Sequence, residues 1–341
     1  MLDRACLGTV VAAGICLTSA SHTASAQDFW AGKNLNLIVG SDPGTGYDVY
    51  GRAVGRHIAK HIPGRPTIVP QNLTGAGSKR AAEHIALVAP KDGTVIAIVF
   101  PGAIAEPLVV ERAKWRYDPT KLEYLGTADS GTRMCSTRLG AKVTTFEQAK
   151  QEIATIGASA PGGSTFDYPT MLNALTGTKF KVVAGYNGLN AIDIAVDRGE
   201  AHGRSGSWGS IKATRPNWLT ENLVAHIAVI GPEREPDLPS VPLITELAAN
   251  DKDRAVLALI SDNAMLGRSW LAPPGVPAER IAALREAFHK ALHDPELMKE
   301  AKARELDVRP VSWQKLTDVV TRTMDTDDAT VERLKRILDV K

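Results

Sequence analysis

Three times in this chain a short apolar run gives way to a loop rich in glycine, serine and threonine, and that loop gives way to a helical pattern. Residues 35–39 lead into 40–46 and then to Val54, Ile58 and Ile62, which share one helix face. Residues 67–69 lead into Asn72-Leu-Thr-Gly-Ala-Gly-Ser78, and residues 156–158 into Pro161-Gly-Gly-Ser-Thr165. Strands alternating with helices point to parallel α/β structure, because parallel neighbours must be joined by a long crossover. The first third reads as strand 35–39, helix 48–62, strand 67–69, helix 78–88 and strand 94–100, with Pro63-Gly64 ending the first helix. The unbroken apolar run 95–100 suits a strand covered on both faces.

A second cycle follows. Thr144-Thr-Phe-Glu147 has the form of a capping box, strands are expected at 156–158, 180–184 and 223–230, and helices at 168–175 and 190–198. In the tail, Ile281, Leu284, Phe288 and Leu292 share a face, and Asp294-Pro295-Glu296 opens another helix. Ser312 is expected to cap a last long helix carrying Leu316, Val319, Val331, Leu334 and Leu338. The proline-rich stretch 232–242 marks a boundary or crossing between two α/β lobes.

The 341 residues suffice for about two domains. Forty Lys and Arg against 38 Asp and Glu leave a net charge of +2. That balance excludes a protein that grips nucleic acid or an anionic membrane through its global field. Residues 1–26 have one early cation (Arg4), an apolar stretch and a closing Ala24-Ser-Ala26, the layout of a secretory signal. A buried N-terminal helix is the bland alternative, and the Ser/Thr/His-rich run 18–25 fits it poorly. Ile15 before Cys16 argues against lipid attachment. Removal of the signal leaves Cys135 alone, so the exported chain must be held by a packed core without an internal disulfide.

Gly44-Thr-Gly-Tyr-Asp48 lacks the third glycine of a dinucleotide fingerprint and the lysine of a phosphate loop. Two readings remain: a tight turn capped by Asp48, or a loop whose helix start receives an anion. The loops ending at Ser78 and Thr165 repeat the logic, and three such loops would converge at strand carboxyl ends, where α/β clefts form. No complete catalytic set is evident. Gly203-Arg-Ser-Gly-Ser207 misses the last glycine of a nucleophile elbow. His57 and His61 have zinc-clasping spacing, but Arg56 and Lys60 beside them favour an exposed cationic face. Cys135 reads as a buried inert thiol, and Trp208 as either core or cleft lining.

Several stretches together resemble the exported substrate-binding receptors of tripartite tricarboxylate transporters, the Bordetella uptake gene family. They are Leu37-Ile-Val-Gly, Gly44-Thr-Gly-Tyr-Asp48 with Arg52, Pro70-Gln-Asn-Leu-Thr-Gly-Ala-Gly-Ser78, Ala89-Pro-Lys-Asp-Gly-Thr94, Tyr186-Asn-Gly188 with Asp193, Trp270-Leu-Ala-Pro-Pro-Gly-Val-Pro277 and His293-Asp-Pro-Glu296. The resemblance spans nearly the whole chain after the signal. It implies a two-lobed, Venus-flytrap periplasmic binding protein of type II-like form, each lobe a mixed or parallel sheet flanked by helices. The lobes would be 27–125 with 233–341, and 126–232. The implied function is capture of a small organic carboxylate by lobe closure and delivery to integral-membrane permease subunits, by a monomer that uses no cofactor or metal and binds no nucleic acid. Thr45, Gly46, Tyr47 and Asp48 would form one jaw beside Ala76, Gly77 and Ser78. Gly163, Ser164, Tyr186, Gly188, Asp193 and Ser207 would close from the other lobe, with Asp193 either orienting a polar ligand group or capping a helix. Thr45 stands where the family usually has a second glycine, Tyr47 where it has threonine, and Gly185 where it has proline. These changes touch the cleft, so the ligand need not be a tricarboxylate, and the Tyr47 ring suits an aromatic or bulkier acid. An exported α/β enzyme acting on a carboxylate, or a sensor subunit for a membrane signalling protein, are the rival readings.

Overall fold

The computed structural model describes residues 29–109, 115–129, 131–159, 164–304 and 306–338. The expected signal segment and Gly163 lie outside them. The first sheet begins with β1 (Asn34–Val39), flanked in parallel by β2 (Thr67–Asn72) and β3 (Val95–Ile98). All four residues of β3 are buried, as a strand covered on both faces requires. Helices α1 (Gly46–Ile58), α2 (Lys79–Leu87) and α3 (Pro101–Val109) leave the carboxyl ends of these strands. Beyond β3 the sheet is mixed: β10 (Ser269–Ala272) runs antiparallel to β3 and to β4 (Glu123–Thr127), with the short β11 (Val311–Ser312) at the edge. One face packs Trp30, Trp270 and Phe288 against α1 and α10 (Ala278–Leu292); the other packs Ile85, Tyr124 and Val320.

The second sheet has the order β7-β6-β8-β5-β9, made from Phe180–Val183, Ala154–Gly157, Gly203–Ser207, Arg133–Arg138 and Val224–Ile230 respectively. Here β6 is parallel to β7 and β8, while β5 is antiparallel to β8 and β9. The helices here are α4 (Phe146–Gln151), α5 (Ser164–Thr176), α6 (Gly188–Arg198), α7 (Trp208–Thr214) and α8 (Pro216–Thr220). The core around Cys135, Ile156 and Leu172 is completed by Leu257 and Ile260 of α9 (Asp251–Met265) and Leu334 of α13 (Asp328–Leu338). Among the described residues, no helix is long and apolar enough to cross a membrane.

Several local expectations shift. The capping box uses Thr145 and Gln148, one residue later than expected. The single last helix is two: α12 (Trp313–Met324), capped by Ser312, and α13, where the Asp327 carboxylate accepts from the Thr330 amide at 2.9 Å and restarts the chain. The His57 face is not exposed. It docks on α11 (Pro295–Ala303), with His57 3.0 Å from Glu300 and His61 2.9 Å from Asp294, the N-cap of that helix. Trp208 belongs to the core, its indole donating to Asp237 at 2.8 Å.

The chain passes from the first sheet to the second along residues 128–132 and returns past the end of α9. These crossings lie side by side. Gly131 sits at φ 68°, and a Cβ there would stand 1.9 Å from the Ala264 carbonyl oxygen. A Gly131→Ala substitution therefore combines left-handed strain with a backbone clash. It is expected to lower unfolding free energy in urea titration by about 2 kcal/mol or more; unchanged stability would mean the crossing has room to spare.

Candidate functional site

The strand-to-helix junctions of each sheet gather at the carboxyl ends of its parallel strands, where open α/β sheets form ligand crevices. In the first loop, Gly44 adopts φ 78° and its amide donates to Asp48 Oδ2 at 2.9 Å. Arg52 Nε and Asn72 Nδ2 also donate to this carboxylate, each at 2.9 Å. Burial opposes the Asp48 charge, but hydrogen bonds from Arg52, the Gly44 amide and Asn72 outweigh it and hold the carboxyl at about 2. Asp48 thus fastens the loop from behind, with both carboxylate oxygens hydrogen-bonded inside the protein. Thr45 occupies the cap position without capping; its hydroxyl donates to the Asp42 carbonyl at 2.8 Å instead. Helix α1 therefore starts at exposed Gly46 with amides that no side chain caps, at the positive end of its dipole.

The second loop is bent through four consecutive residues of positive φ, Gly75, Ala76, Gly77 and Ser78. Two of them are not glycine, a strain that persists only where surroundings enforce it. Ser78 is buried and donates to the Gly40 carbonyl; a Cβ on Gly40 would stand 2.6 Å from Ser78 Oγ, so the two loops interlock. Ala76 and Gly77 remain exposed beside them.

From the second sheet, exposed Ser164 opens α5 and exposed Gly188 opens α6 at φ 80°. Half-buried Tyr186 packs its ring over Gly157, and Ser207 ends β8 and caps α7. Asp193 differs from both expected roles. Its carboxylate is only 1% exposed and lies 2.6 Å from Arg204 Nε, itself 1% exposed. Burial pushes the Asp193 carboxyl up while Arg204 and Arg215 oppose the shift, so the residue belongs to an internal ion pair between α6 and β8.

The floor between the sheets joins Tyr47, expected in the first jaw, to residues that no local sequence signal marks. Tyr47 donates to the Gly267 carbonyl at 2.9 Å and meets Phe100 edge-on, ring centres 4.2 Å apart. Arg268 lies 4.0 Å from the centre of the Tyr50 ring and forms an ion pair with Asp129. Its Nη2 stands 3.5 Å from the point where a Cβ on Gly46 would be, beside the start of α1. Across from it, Tyr168 of α5 is in polar contact with Arg133, the first residue of β5. Burial pushes the Tyr47 phenol up to about 12 against the pull of Arg268 and Arg133. Tyr47 therefore feels charges from both sheets and stays a neutral hydrogen-bonding ring.

Other candidates fall away. His57, Asp294 and Glu296 are close enough together to hold a metal ion, but Lys60 Nζ stands 2.7 Å from both carboxylates and supplies the cation itself. Burial pushes the Cys135 thiol up to about 12, which leaves it inert.

No protein-family model matches the sequence, and no curated protein does. Solved structures do. A TctC solute-binding protein from Polaromonas, without ligand, aligns with a TM-score of 0.67 at 18% identity, over 90% of this chain and 98% of that one. A Rhodopseudomonas palustris protein with adipate gives 0.62 at 22% identity, over 91% and 98%. MatC of the same organism, with bound malate, gives 0.59 at 17%, over 90% and 99%. The fold is therefore that of two-lobed periplasmic binding proteins, two mixed sheets flanked by helices.

Two outcomes are expected at the first loop. Gly46→Val places a branched side chain over the open amides and against Arg268, so ligand affinity by calorimetry falls by about tenfold or more while the fold is kept; unchanged affinity would clear this loop of any binding role. Asp48 has its carboxyl lowered from 3.8 to about 2, so it stabilises the fold above pH 3.8 and that stability is lost as pH falls through about 2. The stability gap between the wild type and Asp48→Asn should thus be full at neutral pH and shrink toward pH 2; a gap independent of pH would contradict the assignment.

Proposed function

We propose that this chain is an extracytoplasmic solute-binding receptor. It captures a small organic carboxylate between its two lobes and hands it, unchanged, to the membrane subunits of a tripartite tricarboxylate-type transporter. The reading rests chiefly on one observation: the uncapped start of α1 lies beside Arg268, and Tyr47 in its first turn is near enough to Tyr168 and Arg133 of the second sheet to feel them. A carboxylate lodged there would accept hydrogen bonds from the amides at Gly46 and Tyr47, which helix geometry leaves without intrahelical partners. Adipate and malate in two proteins of this fold support a carboxylate as the ligand class.

The exposed residues Thr45, Gly46, Ala76 and Gly77 would form one wall. Ser164, Tyr186, Gly188 and Ser207 would form the other, closing by rotation about the paired crossings near Gly131. The expected division into 27–125 with 233–341, and 126–232, sets its first boundary close to the outgoing crossing, while its second boundary precedes α9 rather than the returning one. Helices α9 and α13, packed on the second core, would tie the C-terminal part to the moving lobe. Secretion through residues 1–26 would deliver the receptor to the periplasm as a monomer.

Native mass spectrometry of protein purified without refolding, followed by calorimetry with succinate, adipate and benzoate, tests the reading. A carboxylate bound and recovered intact is the expected result. Chemical conversion of the ligand, or no carboxylate bound at all, would overturn it.

A further inference from the structure

The described residues hold partly or fully buried arginines in two states. Arg268 is matched by Asp129, Arg204 by Asp193, and Arg309 by Glu235. Arg133 makes no ion pair among the described residues, and its Nη1 is buried without a hydrogen-bond partner. Arg133 as a whole is half-buried, but a guanidinium donor buried without a partner is costly, because burial removes water and nothing replaces it. The position of Arg133 shows what could replace it. It opens β5 directly after the crossing and pairs in register with Ser207, at the carboxyl end of β8. Its side chain meets Tyr168 of α5, and its charge reaches Tyr47 on the opposite sheet. The unmatched cation therefore sits across the cleft from the start of α1.

We propose that Arg133 is a specificity-determining residue that receives a second anionic group, so that the ligand is a dicarboxylate held at one end by α1 and at the other by Arg133. This rests on the carboxylate-receptor reading and sharpens it. The Asp129–Arg268 pair is already neutral, so among the described residues Arg133 stands as an uncompensated positive side chain beside the helix start, two anion sites of different make. A planar guanidinium also binds a carboxylate in bidentate fashion, which amides along a helix turn do not. The edge-on rings of Tyr47 and Phe100 lie on the floor beneath the span and suit an apolar linker.

Calorimetry on the full mature chain with matched pairs tests this: succinate against butyrate, adipate against hexanoate, terephthalate against benzoate. The wild type is expected to prefer at least one diacid over its monoacid by about tenfold or more. Arg133→Gln should abolish that preference by weakening the diacid by about tenfold more than the monoacid, and Arg133→Lys, which keeps the charge, should restore part of it. Should Arg133→Gln fail to fold, Arg133→Lys alone decides, since loss of the bidentate fork must weaken the diacid more than the monoacid. A wild type that binds monoacids as tightly as diacids, or an Arg133→Gln variant that weakens both equally, overturns the proposal and leaves the carboxylate reading standing. A wild type that binds none of the six overturns both.

Discussion

The ion pair between Asp129 and Arg268 is the interaction on which the rest of the cleft depends. Asp129 lies on the outgoing crossing between the sheets and Arg268 on the returning one, so the pair fastens two chain segments 139 residues apart. The Asp129 carboxylate also accepts from the Arg268 amide at 3.1 Å, as does the Thr127 hydroxyl. Held this way, the guanidinium lies on Tyr50 and presents its edge to the start of α1, while the neighbouring Gly267 carbonyl receives the Tyr47 hydroxyl. The chain crossings, the aromatic floor and the first glycine-rich loop are thus one connected unit. Loosening the pair would leave an uncompensated charge against two aromatic rings and free the loop at once.

Much of the fold was legible in the sequence because its signals are local. Strand β3 reads from continuous apolar residues, though it ends at Ile98 rather than at residue 100; the first loop reads from its glycines, and Asp294 from its place before a proline. The functional side chains were harder, because the same residue types serve loops and ligands alike. Asp48, Ser78 and Asp193 read as ligand contacts, yet each is buried and bonded within the protein, to Arg52, the Gly40 carbonyl and Arg204. Their side chains shape the loops and the internal packing around them. Nothing local marked Arg133 or Arg268. Their meaning comes from Tyr47, Tyr168 and Asp129, partners brought together only by the folded chain. The division of the last helix was also obscured, since Asp327 acts through the amide of Thr330 and leaves the apolar pattern on either side intact.

The net charge of +2 takes on a different meaning at this scale. Balance across the whole chain hides strong local pairing: Lys60 and His61 with Asp294, Arg309 with Glu235, Arg333 with Asp253. These pairs join segments distant in sequence and leave little field outside the protein. Against that background an unmatched arginine between the lobes is informative, whereas an exposed one would not be. Under the proposed reading, anion recognition would rest on the exposed helix start at Gly46 and the guanidinium of Arg133, and a bound acid would supply the anion that Arg133 lacks among the described residues.

A crystal structure of the protein with a bound dicarboxylate tests this account most directly. It should place one carboxylate within hydrogen-bonding distance of the amides of Gly46 and Tyr47, and the other on the guanidinium of Arg133, with the lobes closed around both. A ligand seated elsewhere, or one held between the lobes with Arg133 turned away from it, would contradict the account.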